Sequence, residues 1–220
     1  MRTSTEPGDT VVPHDAMACP LCHQPGETLA GTEFLRCVEC QGVYRHWRHH
    51  LAPVDEKARY DTHNNDVNDP GYQQFVSPIV SAVLRDFRPG HSGLDFGAGP
   101  GPVISKLLLD RGYHIVQYDP FFHPHPTLLE GTYDFIVCCE VMEHFRHPDV
   151  EFARLRRLLR PGGRLYCMTS LYRADADFRN WSYIRDRTHV FIYHPATLAW
   201  VRQHFGFTSC AIEGRLITLS

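Results

Sequence analysis

The spacing of apolar residues changes along the chain, and the change predicts its fold class. In residues 72–87 apolar side chains recur at intervals of three and four, which predicts an amphipathic helix. After residue 90, short apolar runs alternate with stretches of helical spacing. We predict strands at 93–96, 113–118, 133–139 and 165–169, helices at 103–111, 150–159 and 197–205, and two short strands at the end. Such alternation is typical of a doubly wound α/β fold with a mostly parallel sheet.

Two closely spaced pairs of cysteines precede this region. Cys19 and Cys22 form one C-x-x-C pair, and Cys37 and Cys40 form another after 14 intervening residues. Four thiolates at this spacing can surround Zn²⁺ tetrahedrally, as in zinc ribbons, and a site with four protein ligands is closed and therefore structural. A redox dithiol is the alternative, but it needs only one pair beside a helix start. We interpret the four cysteines as a structural zinc site.

The composition narrows the class of protein. The 220-residue chain is 43% hydrophobic and carries a formal net charge of −3, so it lacks the overall basic field that strong nucleic-acid binding needs. No apolar run approaches the ~20 residues of a membrane-spanning helix, and we expect no membrane association. The other four of the eight cysteines are scattered within apparent core strands, which favours a reducing, cytoplasmic setting over a disulfide framework.

A glycine-rich loop joins the first predicted strand to the following helix. Gly97, Gly99 and Gly101 alternate with other residues, so main-chain N–H groups can approach a ligand with no Cβ in the way. Asp119 lies at the end of the next strand, where a carboxylate can accept the hydroxyls of a ribose. A dinucleotide fingerprint would place its third glycine at Pro102. The pattern therefore favours a nucleoside ligand without a pyrophosphate, and a purely structural turn is the alternative.

Four motifs in this order resemble those of class I S-adenosylmethionine-dependent methyltransferases. They are Asp95-x-Gly97-x-Gly99-x-Gly101, the acidic Asp119, the run from Tyr133 to His144, and the turn Leu159-Arg160-Pro161-Gly162-Gly163. The resemblance extends from about residue 60 to the end of the sequence. It implies S-adenosyl-L-methionine as the cofactor. The candidate cofactor-binding residues are Asp95, Gly97, Ala98, Gly99, Gly101, Asp119, Pro120, Phe121 and Glu140.

One departure from the family concerns the edge of the sheet. Only 12 residues separate Pro120 from Tyr133, where the family usually fits a helix and its third strand. We therefore expect a seven-stranded-type sheet that is reduced at the third-strand edge. The resemblance also implies that Asp95 and the glycines face the methionine end of the cofactor, and that Phe121 or Phe122 packs on the adenine.

Candidate catalytic residues follow the later strands, since active sites of open α/β sheets lie beyond the carboxyl ends of the strands. Glu140 and His144 are four residues apart, so on a helical turn they would share a face. Further on, we interpret His189 as the general base and Asp186 as the group that orients it; a histidine held structurally by a backbone carbonyl is the alternative. The same loop is rich in aromatic and polar groups. It supplies the candidate substrate-binding residues Trp181, Tyr183 and Arg185.

These interpretations divide the chain into four regions. They are a flexible tail at 1–17, a zinc-ribbon-like module at 18–50, a helical linker or lid at 51–90, and an S-adenosylmethionine-binding methyltransferase domain at 91–220. The predicted activity is methyl transfer to a small metabolite or to RNA. The four-cysteine module also resembles that of a ribosomal-RNA guanine methyltransferase group, and packing against the catalytic domain is its alternative role. The alternative function is a zinc-ribbon adaptor or nucleic-acid-binding protein with a non-catalytic nucleotide-binding domain.

Overall fold

The computed structural model describes residues 17–62, 66–173 and 178–220, which form two sheets and five α-helices. Residues 1–16 of the predicted tail and 63–65 of the predicted lid lie outside the described residues. The smaller sheet contains β1 (Gly26–Thr28), β2 (Phe34–Cys37), β3 (Val43–Arg45) and β8 (Phe191–Ile192). The larger sheet contains β4 (Ser92–Phe96), β5 (His114–Tyr118), β6 (Tyr133–Cys139), β7 (Leu159–Met168), β9 (Cys210–Glu213) and β10 (Leu216–Leu219). The helices are α1 (Pro53–Asp61), α2 (Pro70–Asp86), α3 (Val103–Leu109), α4 (Pro148–Leu158) and α5 (Pro195–His204).

The order of strands in the larger sheet confirms the predicted doubly wound fold. The order is β5-β4-β6-β7-β10-β9. Strands β5, β4, β6 and β7 are parallel, and helices α3 and α4 form two of the crossovers between them, while β10 is antiparallel to both β7 and β9. After β5, a 3₁₀ turn at Pro126–Glu130 leads into β6. Strand β5 is therefore the edge of a six-stranded sheet, as the short connection predicts.

Helix α2 shows how the sequence fixes an element against the sheet. The Asp69 carboxylate caps the helix by accepting hydrogen bonds from the N–H groups of Gly71 and Tyr72, and Pro70 occupies the first turn, where its missing N–H is not needed. The apolar face of α2, which includes Ile79 and Val83, is buried in one core cluster with residues of β6 and β7. The helix therefore covers one face of the parallel sheet. Within the described residues, no helix is both long and apolar enough to cross a membrane.

The start of β7 differs from the predicted turn. Helix α4 ends at Leu158 and the strand begins at once, with Leu159 opposite Tyr133 and Arg164 opposite Phe135. Residues 160–163 form an irregularity inside the strand instead of a separate turn, because the register shifts at this point.

The smaller sheet is shared between the N-terminal module and the later part of the chain. Strand β3 pairs with β8 in antiparallel orientation, and the rings of Tyr44 and Phe191 stack with centroids 6.4 Å apart. The buried guanidinium of Arg45 donates hydrogen bonds to the carbonyl oxygens of Ile184, Asp186 and His189, at 2.9, 3.2 and 3.2 Å. The cysteine-containing hairpins are therefore fixed directly to the segment that contains His189.

Candidate functional site

A cavity of about 670 Å³ lies beyond the carboxyl ends of β4, β5 and β6. Seven of the predicted cofactor-binding residues line it: Gly97, Ala98, Gly99, Asp119, Pro120, Phe121 and Glu140. The candidate catalytic residues His144, Asp186 and His189 also line it. The cavity lining does not include Asp95, Gly101, Trp181, Tyr183 or Arg185. The structure thus brings residues from four separate segments to one opening.

The glycine loop reaches this cavity through a left-handed backbone. Gly97 and Gly99 have φ angles of +79° and +62°. Residues with a Cβ adopt this left-handed region only at a cost in conformational energy. The N–H groups of Gly97 and Ala98 donate to the carbonyl oxygen of Tyr118 at 2.8 and 3.2 Å, which holds the loop against the end of β5. A Cβ on Gly99 would meet no atom within 4 Å. The loop therefore presents bare backbone to open space, as a cofactor cradle requires.

Asp119 lies beside this loop and is almost fully buried. Its Oδ1 accepts hydrogen bonds from the N–H groups of Phe121 and Phe122 at 2.8 and 3.0 Å, and its Oδ2 accepts one from Gly99 at 3.0 Å. These donors fill three of the roughly four lone-pair positions of a carboxylate. One position on Oδ2 remains for a ligand hydroxyl at the edge of the cavity.

Asp95 supports the loop from the core and lies outside the cavity wall. Its Oδ2 accepts a hydrogen bond from the Ser105 hydroxyl at 2.8 Å, which ties the end of β4 to α3. Burial raises the pKa of Asp95 to about 6. Through this hydrogen bond, the Asp95 side chain helps to fix the glycine loop, which lies between β4 and α3.

Glu140 follows β6 in an unusual backbone conformation. Its φ angle is +53°, and only a short 3₁₀ turn, Met142–His144, follows it. The prediction that Glu140 and His144 share a helical face is therefore wrong, because the chain leaves the strand through a left-handed residue. Oε2 of Glu140 accepts a hydrogen bond from Arg215 at 2.6 Å. Burial, aided by the nearby Glu143 carboxylate, raises the pKa of Glu140 to about 8 despite the arginine.

The two histidines lie close together and are oriented by the backbone. Their ring centroids are 5.0 Å apart. Nδ1 of His144 contacts the carbonyl oxygen of Thr188 at 2.9 Å, and Nδ1 of His189 contacts that of Tyr183 at 2.7 Å. Burial lowers the pKa of His189, and the neighbouring His144 lowers it further. The neutral imidazole is therefore favoured at His189.

Asp186 does not orient His189 in the predicted way. Its Oδ1 accepts hydrogen bonds from the backbone N–H and hydroxyl of Thr188 at 3.0 and 2.6 Å, and its Oδ2 accepts one from Arg59 at 2.8 Å. The ring of His189 is held by the carbonyl of Tyr183, the arrangement given as the alternative in the sequence analysis. Asp186 thus shapes the loop and faces the cavity with its carboxylate.

The predicted substrate-binding residues mainly pack against one another. The rings of Trp181 and Tyr183 stack with centroids 4.9 Å apart. The Tyr183 hydroxyl donates to Oε1 of Glu143 at 2.5 Å, and burial raises the pKa of this phenol beyond its usual range. Arg185 lines a separate, smaller cavity. None of these three side chains lines the main cavity.

Two cavity-lining residues on α1 were not among the predicted site residues. The Tyr60 hydroxyl donates to Oε1 of Glu56 at 2.9 Å, and Oε2 of Glu56 accepts a hydrogen bond from Arg146 at 2.6 Å. Their spacing of four residues on a polar helix is a signal that the two side chains share a face. The spacing does not reveal which part of the protein that face covers.

The four paired cysteines lie at one end of the smaller sheet. Sγ of Cys19 lies 3.6 Å from that of Cys40, and Sγ of Cys22 lies 3.2 Å from that of Cys37. All four sulfur atoms lie within 4.8 Å of one another. In a tetrahedral site with Zn–S bonds of ~2.3 Å, sulfur atoms stand ~3.8 Å apart. The donor set and its dimensions therefore fit a zinc ion.

Comparison of sequences agrees with the geometry of the cavity. The family described as a methyltransferase domain matches residues 63–211. The ubiquinone biosynthesis O-methyltransferase of Erwinia tasmaniensis is 31% identical over 91 residues, which are 41% of this chain and 37% of that protein. The enzyme of the same name from Sodalis glossinidius is 31% identical over 78 residues, 36% of this chain and 31% of its own length. The chain thus matches about a third of the length of these curated relatives.

Comparison with solved structures shows the same fold. An O-methyltransferase family protein from Burkholderia thailandensis superposes with a TM-score of 0.52 at 14% identity, covering 78% of this chain and 60% of that one. An S-adenosylmethionine-dependent methyltransferase from Archaeoglobus fulgidus superposes with a TM-score of 0.50 at 18% identity, covering 64% and 72%. Because the sequence identities are this low, the structural similarity establishes the Rossmann-like fold alone.

Proposed function

We propose that this chain, which belongs to the methyltransferase-domain family, transfers a methyl group from S-adenosylmethionine to a small-molecule acceptor. The observation that carries the proposal is the cavity wall formed by the left-handed Gly97 and Gly99 beside the buried Asp119. A sulfonium cofactor offers an amino-acid end, a ribose and an adenine to this wall. The residues present fit these three parts.

Each part of the cofactor has a candidate partner. Asp119 accepts a ribose hydroxyl at the remaining position of Oδ2. The backbone from Gly97 through Ala98 to Gly99 faces the methionine end, and Asp95 holds that loop in place through Ser105. Phe121 offers an aromatic face for the adenine, with Pro120 beside it. Gly101 lies between this loop and α3, and its carbonyl oxygen accepts a hydrogen bond from the N–H of Val103 at 2.8 Å.

The remaining wall of the cavity receives the acceptor. When bound, the sulfonium supplies an activated methyl group, so the protein has to align the acceptor, exclude water and receive a proton. Glu140, His144, Asp186 and His189 line this part of the site. The relatives are named as O-methyltransferases of ubiquinone biosynthesis, which supports an oxygen nucleophile on a small molecule for this chain as well.

We further propose that Cys19, Cys22, Cys37 and Cys40 hold a structural zinc ion. With all four positions taken by sulfur, the ion would have no open coordination position. The hydrogen bonds from the Arg45 guanidinium to backbone carbonyl oxygens then link the position of this module to the loop that contains Asp186 and His189. The module is proposed to shape the cavity.

Calorimetry of the purified chain with S-adenosylmethionine, S-adenosylhomocysteine and NAD tests the proposed cofactor. We expect the first two to bind and NAD to give no heat. Incubation with methyl-labelled cofactor and cell extract, followed by separation of RNA, protein and small molecules, then identifies the acceptor class. Label confined to RNA would refute the small-molecule acceptor, and binding of NAD alone would refute the methyltransferase activity.

A further inference from the structure

Three potential metal ligands from two segments meet at the edge of the cavity. Glu143 and His144 belong to the 3₁₀ turn after β6, and His189 belongs to the loop before β8. Each offers one ligand atom, and the three atoms lie within 4.8 Å of one another. The N–H of Val190 donates to the carbonyl oxygen of Glu143 at 2.9 Å, so the backbone itself holds the two segments together.

Both imidazoles are oriented in the manner of metal-binding histidines. A backbone carbonyl only accepts hydrogen bonds, so the contacts of Nδ1 with Thr188 and Tyr183 place the proton of each neutral ring on Nδ1. Nε2 of His144 and of His189 then carries the lone pair. Metal-bound histidines almost always donate their second ring N–H to such an acceptor, which fixes the tautomer and the direction of the ligand nitrogen.

The third group is a fully buried carboxylate whose second oxygen lacks a partner. Glu143 has no solvent exposure, and its Oε1 accepts the hydrogen bond from Tyr183. Within the described residues, its Oε2 has no hydrogen-bond partner. A buried carboxylate oxygen in this state is costly unless a cation is bound. Oε1 of Glu140, close by, is likewise buried and without a hydrogen-bond partner in the described part of the chain.

We propose that Glu143, His144 and His189 bind a divalent first-row transition cation at the cavity edge. Two imidazole nitrogens and one carboxylate suit zinc, manganese or iron, whereas magnesium and calcium prefer sites made of oxygen ligands. Bond lengths of ~2.1 Å place the ligand atoms of a tetrahedral site ~3.4 Å apart, which is compatible with the 4.8 Å limit within which these three atoms lie. His144 and His189 line the cavity, so the open positions of the ion face it.

Such an ion defines the class of acceptor. An oxygen bound to a divalent cation loses its proton more easily and is held in one place, so the acceptor is a molecule with a metal-coordinating hydroxyl. This second statement rests on the proposed methyltransferase function. The metal site itself does not, because it is built from this chain's own side chains.

Titration of the full chain with Mn²⁺, followed by electron paramagnetic resonance, tests the site. Mn²⁺ is a hard cation that competes poorly for the four thiolates, so its binding reports the mixed histidine and carboxylate site. We expect one equivalent to bind, and we expect His189→Ala and the isosteric Glu143→Gln to weaken binding about tenfold or more. His114→Ala, at an exposed position on the edge strand β5, is the matched control and should bind as the parent chain does.

The results of these experiments distinguish failure of the proposed metal site from failure of the proposed methyltransferase function. Zn²⁺ should displace Mn²⁺ at equal concentration while Mg²⁺ should not. Failure of the parent chain to bind Mn²⁺, equal binding by correctly folded Glu143→Gln, or equal displacement by Mg²⁺ would each overturn the metal site. Calorimetry with S-adenosylhomocysteine on the same samples, which keep zinc in the four-cysteine site and are measured before Mn²⁺ is added, reports the cofactor site separately. Cofactor binding without Mn²⁺ binding would therefore leave the methyltransferase proposal intact.

Discussion

At the scale of single residues, Gly97 and Gly99 share a left-handed backbone but differ in their surroundings. A Cβ at Gly97 would lie 2.5 Å from Cγ2 of Val141, whereas one at Gly99 would meet nothing within 4 Å. Gly97→Ala should therefore combine backbone strain with a steric clash and lower stability by about 2–4 kcal/mol, while Gly99→Ala should cost only about 1 kcal/mol. Thermal unfolding of the two variants measures the difference; equal losses would contradict the clash.

Asp119 carries the second prediction at this scale. Replacement by Asn keeps the shape of the side chain. It removes the negative charge that strengthens the hydrogen bonds from the backbone N–H groups and from a ribose hydroxyl. Loss of a charge-assisted hydrogen bond of about 1.5–3 kcal/mol should weaken binding of S-adenosylhomocysteine roughly tenfold to a hundredfold. The control is Asp110→Asn, since Asp110 is exposed and forms an ion pair with Lys106 at the end of α3. Unchanged binding by Asp119→Asn would remove Asp119 from the cofactor site.

Residue spacing predicts some site positions better than others. The glycines and Asp119 follow parallel strands directly, and such strands end at one edge, so their approach follows from the chain order. Asp186 was predicted to contact His189, but its carboxylate instead accepts from Thr188 two residues along, as Asp side chains commonly do in turns. Such local competition depends on the path of the loop, which spacing alone does not give.

At the scale of elements, the junction between β3 and β8 depends on one buried guanidinium. Arg45 donates to three carbonyl oxygens of the loop and also pairs with Glu33. Arg45→Ala removes three hydrogen bonds from a buried side chain and should reduce the free energy of unfolding by about 2–4 kcal/mol. Chemical denaturation measures the change. Arg36→Ala on the neighbouring β2 is the control, because Arg36 is partly exposed and its ion pair with Glu27 is long, at 4.0 Å.

Zinc removal is the second prediction for this element. Cys37→Ser should lose zinc and lower the unfolding temperature, because a small hairpin module has too little core to fold without its metal. Affinity for S-adenosylhomocysteine should fall as well, since the module holds the Asp186 loop through Arg45. Cys210→Ser, which changes a half-buried cysteine outside the cluster, should keep its zinc. Unchanged zinc content in Cys37→Ser would refute the four-sulfur site.

The observed helices and strands agree with the sequence-based predictions where the apolar periodicity is strong. They differ where an element forms only through pairing with a distant part of the chain. The predicted strand at 133–139 coincides with β6, and the predicted helices overlap α3, α4 and α5. Strand β8 was not predicted, because a strand of two residues carries no alternation and exists only through its pairing with β3. A helical linker or lid was predicted at 51–90, but the side chains of α1 that line the cavity could not be named from the sequence, because the position of this helix depends on distant contacts.

At the scale of the whole molecule, Asp86 links helix α2 to the sheet and gives stability a dependence on pH. Burial opposes its ionisation, but hydrogen bonds from Arg85, Tyr166 and Arg164 outweigh burial and lower the pKa of Asp86 to about 2. A carboxylate with a depressed pKa in the folded state stabilises the protein above its unfolded pKa of about 4, and this stability is lost as the pH falls towards about 2.

The Asp86→Asn variant tests this link. We expect it to lower the free energy of unfolding by about 1 kcal/mol near neutral pH, because solvent screens the partly exposed arginines, and the deficit should shrink between about pH 4 and pH 2. Urea unfolding of both proteins across this range measures the effect. A deficit that stays constant down to the lowest pH would show that charge is not its origin.

The shared sheet also constrains the order in which the molecule is assembled. The hydrogen bond from Arg45 to the carbonyl of His189 joins residues 144 positions apart, so a ribosome must translate most of the chain before the first hairpins gain their last strand. Until then the exposed edge of β3 is open to pairing with other nascent chains.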